Sequence, residues 1–457
     1  MDMDSALSRV LPRIRPSEKQ AKEIEAITKE VLHAAKEAAG KKGLKVLLAG
    51  SFTRNTYMLD KKEFDLFVLF PENASREALE KDGLGLGKKI TDKLKGKYSI
   101  AYAEHPYVRA KINDYQVDIV PCYDVKDPAK IKSAVDRTPF HIRWLQRRMH
   151  PKLADEVRLL KQFCKALGIY GSDEKTRGFS GYLCELLIVK YGSFRNLVRE
   201  ASKWVPGAEI DIEAHGKRKF EGHPLIVIDP VDPNRNVAAV VEPYNFIKFA
   251  AACRKFSERP SPDFFFPRKK INLKKLENSM EKRKTKLMGI TFRRPDIIDD
   301  ILYPQLRKTE KRLRSILEQN EFRMLNSGCF ADGKSCLILF EMEVWSLPNV
   351  RKVIGPDIFS HIHSAQFLEK YKKTGRIRIE NGKYVAETGR TLTYAESKLK
   401  DSLSKSLPVL KAKGIPGYIA VSVAKGFRII DGKEVIGKAR KEEDFAAFLS
   451  EFFGKGI

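Results

Sequence analysis

The sequence lacks any uninterrupted apolar run approaching the roughly 18 residues that a membrane-spanning helix needs. Its opening residues, Met1-Asp-Met-Asp-Ser5, are acidic and carry no apolar stretch, so no secretory signal is expected there. Cysteine is scarce: Cys122, Cys164, Cys184, Cys253, Cys329 and Cys336 are scattered, with no Cys-x-x-Cys, and several fall within apolar runs. That excludes a disulfide framework and a zinc ribbon, and predicts buried thiols in a reducing cytoplasm. His361-Ile-His363 has no third metal ligand near it. Gly83-Leu-Gly-Leu-Gly-Lys-Lys89 lacks the Walker spacing, and no strand immediately precedes it, so it is not a phosphate loop. Acids are also in short supply, 59 against 86 lysines and arginines, for a net charge of +27. A basic surface of that size attracts a polyanion, nucleic acid first. The excess is denser in residues 251–457, where 42 basic residues face 25 acids.

What the sequence does have begins at Lys45-Val-Leu-Leu-Ala-Gly50-Ser51. Eleven residues later comes Glu63-Phe-Asp65-Leu-Phe-Val-Leu-Phe70. In a strand, residues two apart share a face, so Glu63 and Asp65 stand together while Phe64 and Leu66 point into the core. Two carboxylates side by side repel unless a cation lies between them, and hard oxygen ligands suit Mg²⁺. The preceding Gly50-Ser51 offers backbone N–H groups and a hydroxyl to a triphosphate. Downstream, Tyr115-Gln-Val-Asp118-Ile-Val-Pro121 reads as another strand with one acid among apolar residues. Each acid alone reads equally well as an edge-strand carboxylate meeting a lysine. Together, they match what metal-dependent phosphoryl or nucleotidyl transfer requires.

The patterning predicts an α+β multidomain chain, since 457 residues exceed one core. Pro16-Ser17 opens a helix with a capping box and an Ile24, Ile27, Val31 stripe. Another helix is expected near residues 73–95. Residues 1–145 then form a mixed-sheet catalytic head. Helices over 151–168 and 178–189 predict a helical second domain, 146–258, closed by the turn segment Asp229-Pro-Val-Asp-Pro-Asn-Arg-Asn236. On the first of these helices Lys161 borders the apolar stripe and can reach into a cleft, and Tyr170 follows the helix end. A linker, Pro260-Ser-Pro-Asp-Phe-Phe-Phe-Pro267, leads to a β-α-β-β order in 268–359, a ferredoxin-like body. Residues 360–457 mix helices with strands at 376–385 and 418–422. No internal repeat is present.

The Gly-Ser and paired-acid pattern resembles the DNA polymerase beta-like nucleotidyltransferase superfamily. Longer stretches narrow the resemblance: Gly50-Ser-Phe-Thr-Arg-Asn-Thr56, Ala103-Glu-His-Pro-Tyr107, Val117-Asp-Ile-Val-Pro-Cys-Tyr123, Lys132-Ser-Ala-Val-Asp-Arg-Thr-Pro-Phe-His141 and Arg177-Gly-Phe-Ser-Gly-Tyr-Leu-Cys-Glu-Leu-Leu187. They are similar to the class I, archaeal-type CCA-adding enzymes (tRNA nucleotidyltransferases), from about residue 40 to the strands near residue 345.

The resemblance implies a polymerase beta-like head, a helical second domain and C-terminal RNA-binding domains. It implies that the 3′ hydroxyl of tRNA attacks the α-phosphate of CTP or ATP without a nucleic-acid template, with Mg²⁺ as cofactor and pyrophosphate as leaving group. Glu63, Asp65 and Asp118 match the metal ligands, with Asp118 positioning or deprotonating the hydroxyl. Ser51, Arg54, His141, Lys161 and Tyr170 match the nucleotide contacts, and Arg235 a position near the base. No Glu-Asp-x-x-Arg motif is present, which speaks against class II enzymes. The implied partners are the tRNA acceptor stem and 3′ end, CTP and ATP, with no membrane; a homodimer stays open. Two alternatives are a template-free poly(A) or oligoadenylate-type polymerase and an RNA-binding protein with an inactive head. The intact carboxylates speak against the second.

Overall fold

The computed structural model describes residues 1–60, 62–102, 104–216, 220–266, 273–373 and 375–454. Residues 61, 103, 217–219, 267–272, 374 and 455–457, which fall in the stretches considered above, lie outside the described residues. The chain forms two compact units, Met1–Arg268 and Lys269–Gly456.

In the first unit, α1 (Met3–Ile14) precedes α2 (Glu18–Gly40), whose reciprocal capping box joins Ser17 and Gln20 as the sequence predicts. The head follows: β1 (Lys45–Ala49), β2 (Glu63–Phe70), α3 (Arg76–Lys93), β3 (Lys97–Tyr102), β4 (Pro106–Ile112) and β5 (Tyr115–Tyr123). The sheet order is β1-β2-β5-β4-β3, with β2 and β5 parallel and the other pairs antiparallel. Phe64, Leu66 and Val68 pack in one core with residues of α2 and α3, while Phe67, Leu69 and Cys122 pack on the other face with Ile142. Past Asp65 the strand is therefore apolar on both sides, and its acids sit at the one end the cores leave uncovered.

The glycine-rich stretch lies inside α3. A β-carbon at Gly83 or Gly87 would fall 2.6 Å from Pro121 or Val108, so these glycines let the helix lie close on the sheet. Buried Asp136 accepts hydrogen bonds from the N–H groups of Tyr123, Lys132 and Ser133. It thereby ties the entry of α4 (Thr138–Arg148) to the end of β5.

The helical part contains α5 (Leu153–Ala166), α6 (Gly181–Tyr191), α7 (Phe194–Ala201), the short parallel strands β6 (Ala208–Ile210) and β7 (Leu225–Val227), and α8 (Pro243–Glu258). Its core is aromatic: Phe163 meets Phe194, Phe249, Phe256 and Phe265 edge to face. Two expectations change here. The stretch read as a linker packs into this core through Phe264, Phe265 and Phe266, and Phe265 is fully buried. Burying one such ring stabilises by about 1.5–3 kcal/mol, too much for a connector to leave in water. Likewise α1, placed with the head, packs Ala6, Leu7, Val10 and Ile14 into the helical core.

The second unit begins with α9 (Leu273–Arg283), β8 (Lys286–Arg293), α10 (Asp299–Glu318), β9 (Met324–Ala331) and β10 (Ser335–Met342), the expected β-α-β-β order. An inserted three-stranded sheet follows, β11 (Val350–Asp357), α11 (His361–Tyr371), β12 (Gly375–Glu380) and β13 (Lys383–Gly389), in the order β11-β13-β12. After α12 (Ala395–Leu403), α13 (Leu407–Ala412) and α14 (Gly417–Lys425), β14 (Phe427–Asp431) returns to pair with β8; α15 (Gly432–Lys441) and α16 (Glu443–Phe452) close the chain. The resulting order, β14-β8-β10-β9, is that of a ferredoxin-like sheet. Its fourth strand, β14, lies beyond the residues 268–359 expected to form this body, so the boundary at 359/360 divides one sheet. The strand expected at 418–422 is helical: Ile419, Ala420 and Val423 face the core at helical spacing after Pro416.

Candidate active site

Residues from the head and the helical part line one cavity of about 760 Å³. At one end stand the acids. Asp65 and Asp118 are Cα partners across the parallel pair β2–β5, with Glu63 two residues back on the same face. Gly50 ends β1 beside them at φ +89°, a conformation glycine adopts without strain, and a β-carbon there would lie 3.6 Å from an Asp65 carboxylate oxygen. Ser51 then opens the one-turn segment Ser51–Arg54 against the cavity.

Asp118 is engaged. Arg109, its Cα partner on β4, donates from Nε to Oδ1 at 2.9 Å and from Nη2 to Oδ2 at 2.7 Å, and Nη2 also donates to the Tyr107 hydroxyl. Hydrogen bonding to Asp118 holds the Arg109 guanidinium above its ordinary range. Among the described residues no three His, Cys, Asp or Glu side chains are gathered as a metal centre. The structure therefore brings the three carboxylates onto one face and pairs two of them in register, but does not converge them. They are hard oxygen donors at an open strand end, the donor type that divalent cations such as Mg²⁺ take.

A second cluster surrounds Glu185 of α6, which is 1% exposed. Arg54 donates to it from Nη2 at 2.8 Å, the Thr56 hydroxyl donates to its other oxygen, and Lys161 Nζ lies 3.8 Å away. Lys161 itself donates to the Thr56 carbonyl at 2.9 Å. Lys161 reaches into the cavity, as its place at the border of the apolar stripe suggests, but from a buried position, 2% exposed. Burial works to raise the Glu185 carboxyl, but the charges of Arg54 and Lys161 outweigh it and leave the group below the usual carboxylate range. For Lys161, burial prevails over one shared carboxylate, and its ammonium falls below the usual lysine range.

A third cluster surrounds Asp229, fully buried in the turn after β7. His141 Nε2 contacts its Oδ2 at 2.9 Å, Arg235 Nη1 donates to the same oxygen at 2.7 Å, and the Val231 N–H donates to Oδ1. Burial raises this carboxyl, but hydrogen bonding to His141, to the Val231 N–H and to Arg235 outweighs it and brings it below the usual range. The His141 ring stacks on Tyr182 at 4.3 Å between centroids. Tyr170 lines the same cavity; a β-carbon at Gly181 would lie 3.3 Å from its hydroxyl and 3.7 Å from Lys161 Nζ. Burial pushes the Tyr170 and Tyr182 phenols up, so both stay neutral. All eight residues expected at the site, and Arg235, thus border one cavity.

Residues 28–141 match the nucleotidyltransferase domain family, 155–266 the second domain of tRNA nucleotidyltransferase, and 283–432 the C-terminal domain of the CCA-adding enzyme. The CCA-adding enzyme of Methanocaldococcus jannaschii is 40% identical over 92% of this chain and 94% of its own. Those of Archaeoglobus fulgidus and Methanosarcina mazei are 38% and 37% identical, each over 99% of this chain, covering 99% and 100% of their own. The chain belongs to the archaeal-type CCA-adding enzyme family. The likeness runs well past the stretch between residues 40 and 345 whose motifs carry it in the sequence.

Sequence reasoning missed Arg109, Glu185, Asp229 and Tyr182 as neighbours of the site. Glu185 was in view, an acid inside the apolar run Gly181-Tyr-Leu-Cys-Glu-Leu-Leu-Ile188, where a buried charge demands a partner. Arg109 needed the β4–β5 register, which the sequence does not print. His361 and His363 are exposed at the start of α11 and belong to no metal cluster among the described residues. Among the described residues no helix is long and apolar enough to cross a membrane.

Proposed function

We propose that this chain builds and repairs the 3′-terminal C-C-A of tRNA from CTP and ATP, without a nucleic-acid template, by Mg²⁺-dependent nucleotidyl transfer. The observation that carries the reading is the single cavity joining Asp65 and Asp118 to Ser51, Arg54, His141, Lys161 and Tyr170. Glu63, Asp65 and Asp118 hold the cation, which when bound polarises the α-phosphate and lowers the pKa of the attacking hydroxyl. Asp118 orients the RNA 3′ hydroxyl and takes up its proton. Ser51 and Arg54 bind the triphosphate through a hydroxyl and a guanidinium fork. Lys161 adds a fixed positive charge beneath it, and His141 and Tyr170 close the cavity around the nucleotide. Arg235, gripped by Asp229, presents its half-exposed guanidinium to the base. Six free thiols, five of them buried, fit a reducing cytoplasm.

The test is to offer tRNA lacking its 3′ end with CTP and ATP together and count the nucleotides added. Three additions support the reading. Long A-tails made without need of CTP would favour the poly(A)-type alternative.

A further inference from the structure

The strand register carries the catalytic face past the acids. Across the sheet from β2 to β3, successive Cα partners are Glu63, Gln116, Lys111 and Lys97; two residues further along each strand they are Asp65, Asp118, Arg109 and Ser99. Cα partners share a face, as do residues two apart on one strand. Arg109, Lys111 and Lys97 therefore lie on the same face as the three carboxylates. A groove of about 620 Å³ runs over these positions and shares Glu63, Arg109 and Gln116 with the nucleotide cavity.

Lys97 and Lys111 are directly opposed and both exposed. Like charges opposite one another destabilise a sheet unless something anionic covers them. The groove's Asp114 and Asp60 face other lysines, Lys62 and Lys165. Among the described residues, Lys97 and Lys111 have no ion-pair partner.

Direction matters as much as charge. Gly50, Ser51 and Arg54 follow β1 at one edge of the sheet, and β3 forms the other edge. In phosphoryl-type transfer the attacking and leaving oxygens lie roughly in line on opposite sides of phosphorus. With the triphosphate towards β1, the RNA end approaches over β5, β4 and β3. At about 4.8 Å per strand, Lys111 and Lys97 stand roughly 10 and 14 Å from Glu63 along that path.

We propose that Lys97 and Lys111 form a docking site for the backbone phosphates of the RNA just upstream of the reacting 3′ hydroxyl. The inference rests on the nucleotidyl-transfer reading above. The test is steady-state kinetics of K97A/K111A and the charge reversal K97E/K111E, on tRNA lacking C-C-A, at several salt concentrations. The double alanine variant should raise KM for tRNA about tenfold, leave KM for CTP unchanged, and make the salt dependence shallower by roughly 1.4 in log–log slope, about 0.7 per lost phosphate contact. The charge reversal should weaken tRNA further. Tm of the alanine variant should hold or rise, because a like-charge pair is removed. An unchanged tRNA KM and salt slope would overturn the docking site, as would an equal rise in KM for tRNA and CTP. Wild-type protein run in parallel separates the two claims: its failure to extend tRNA would defeat the functional reading, whereas an unaffected variant beside active wild type would defeat only the docking site.

Discussion

Asp65 and Asp118 face each other as Cα partners across parallel strands, yet Asp118 is held by Arg109. The arginine supplies the positive charge that a carboxylate at the end of two apolar cores requires, in the place where a cation would act.

If these acids hold the metal, D65N and D118N should each lower nucleotide transfer more than about a hundredfold while tRNA affinity changes little. Filter binding of tRNA beside single-turnover transfer checks this. Retention of a tenth of wild-type turnover in either variant would move the catalytic centre elsewhere.

Glu185 is the buried counter-charge for Lys161, which is buried, and Arg54, which is part-buried, so E185Q leaves both uncompensated. Breaking a buried pair costs about 3–5 kcal/mol. Urea denaturation should show the loss as a lower midpoint at an unchanged slope. A variant as stable as wild type would mean that Arg54 and Lys161 do not depend on this carboxylate.

Much of the head was legible because its chemistry is local. A strand of period two prints its two faces, and the Gly-Ser and acid spacings locate Ser51, Glu63, Asp65 and Asp118 before any fold is known. The capping box at Ser17 is likewise written in four residues. What stayed hidden depends on pairing between distant segments. Arg109 meets Asp118 only through the β4–β5 register, and Asp229 meets His141 across 88 residues. The Phe264–Phe266 run resembles a connector in composition, because Pro and Ser surround it, and only the core shows that it is packed. The segment 418–422 is rich in β-branched residues, and its contacts with the sheet decided for helix over that propensity.

Asp229 provides a pH test. Its native carboxyl lies below the usual carboxylate range, so its contribution to stability is complete above the unfolded value of about 3.9 and is lost as pH falls through the native value. D229N should be less stable than wild type by about 1.5–3 kcal/mol at pH 7. That gap should narrow below about pH 4. Because Asp229 grips Arg235 and His141, KM for CTP and ATP should also rise. A gap that is constant from pH 7 to pH 3 would mean that the native fold does not lower this carboxyl's pKa.

Building C-C-A requires one cavity to accept two different bases in turn. A pyrimidine and a purine differ in size and hydrogen-bonding edge, so one rigid pocket cannot favour each in turn, and the growing RNA end must complete it. The decisive measurement is stepwise incorporation on tRNA ending at the discriminator base, with CTP and ATP supplied separately and then together. CTP alone should add two residues and stop, ATP alone should add almost none, and ATP should be accepted once both cytidines are in place. Extension of that tRNA by ATP alone into a long tail, with no response to CTP, would contradict the account.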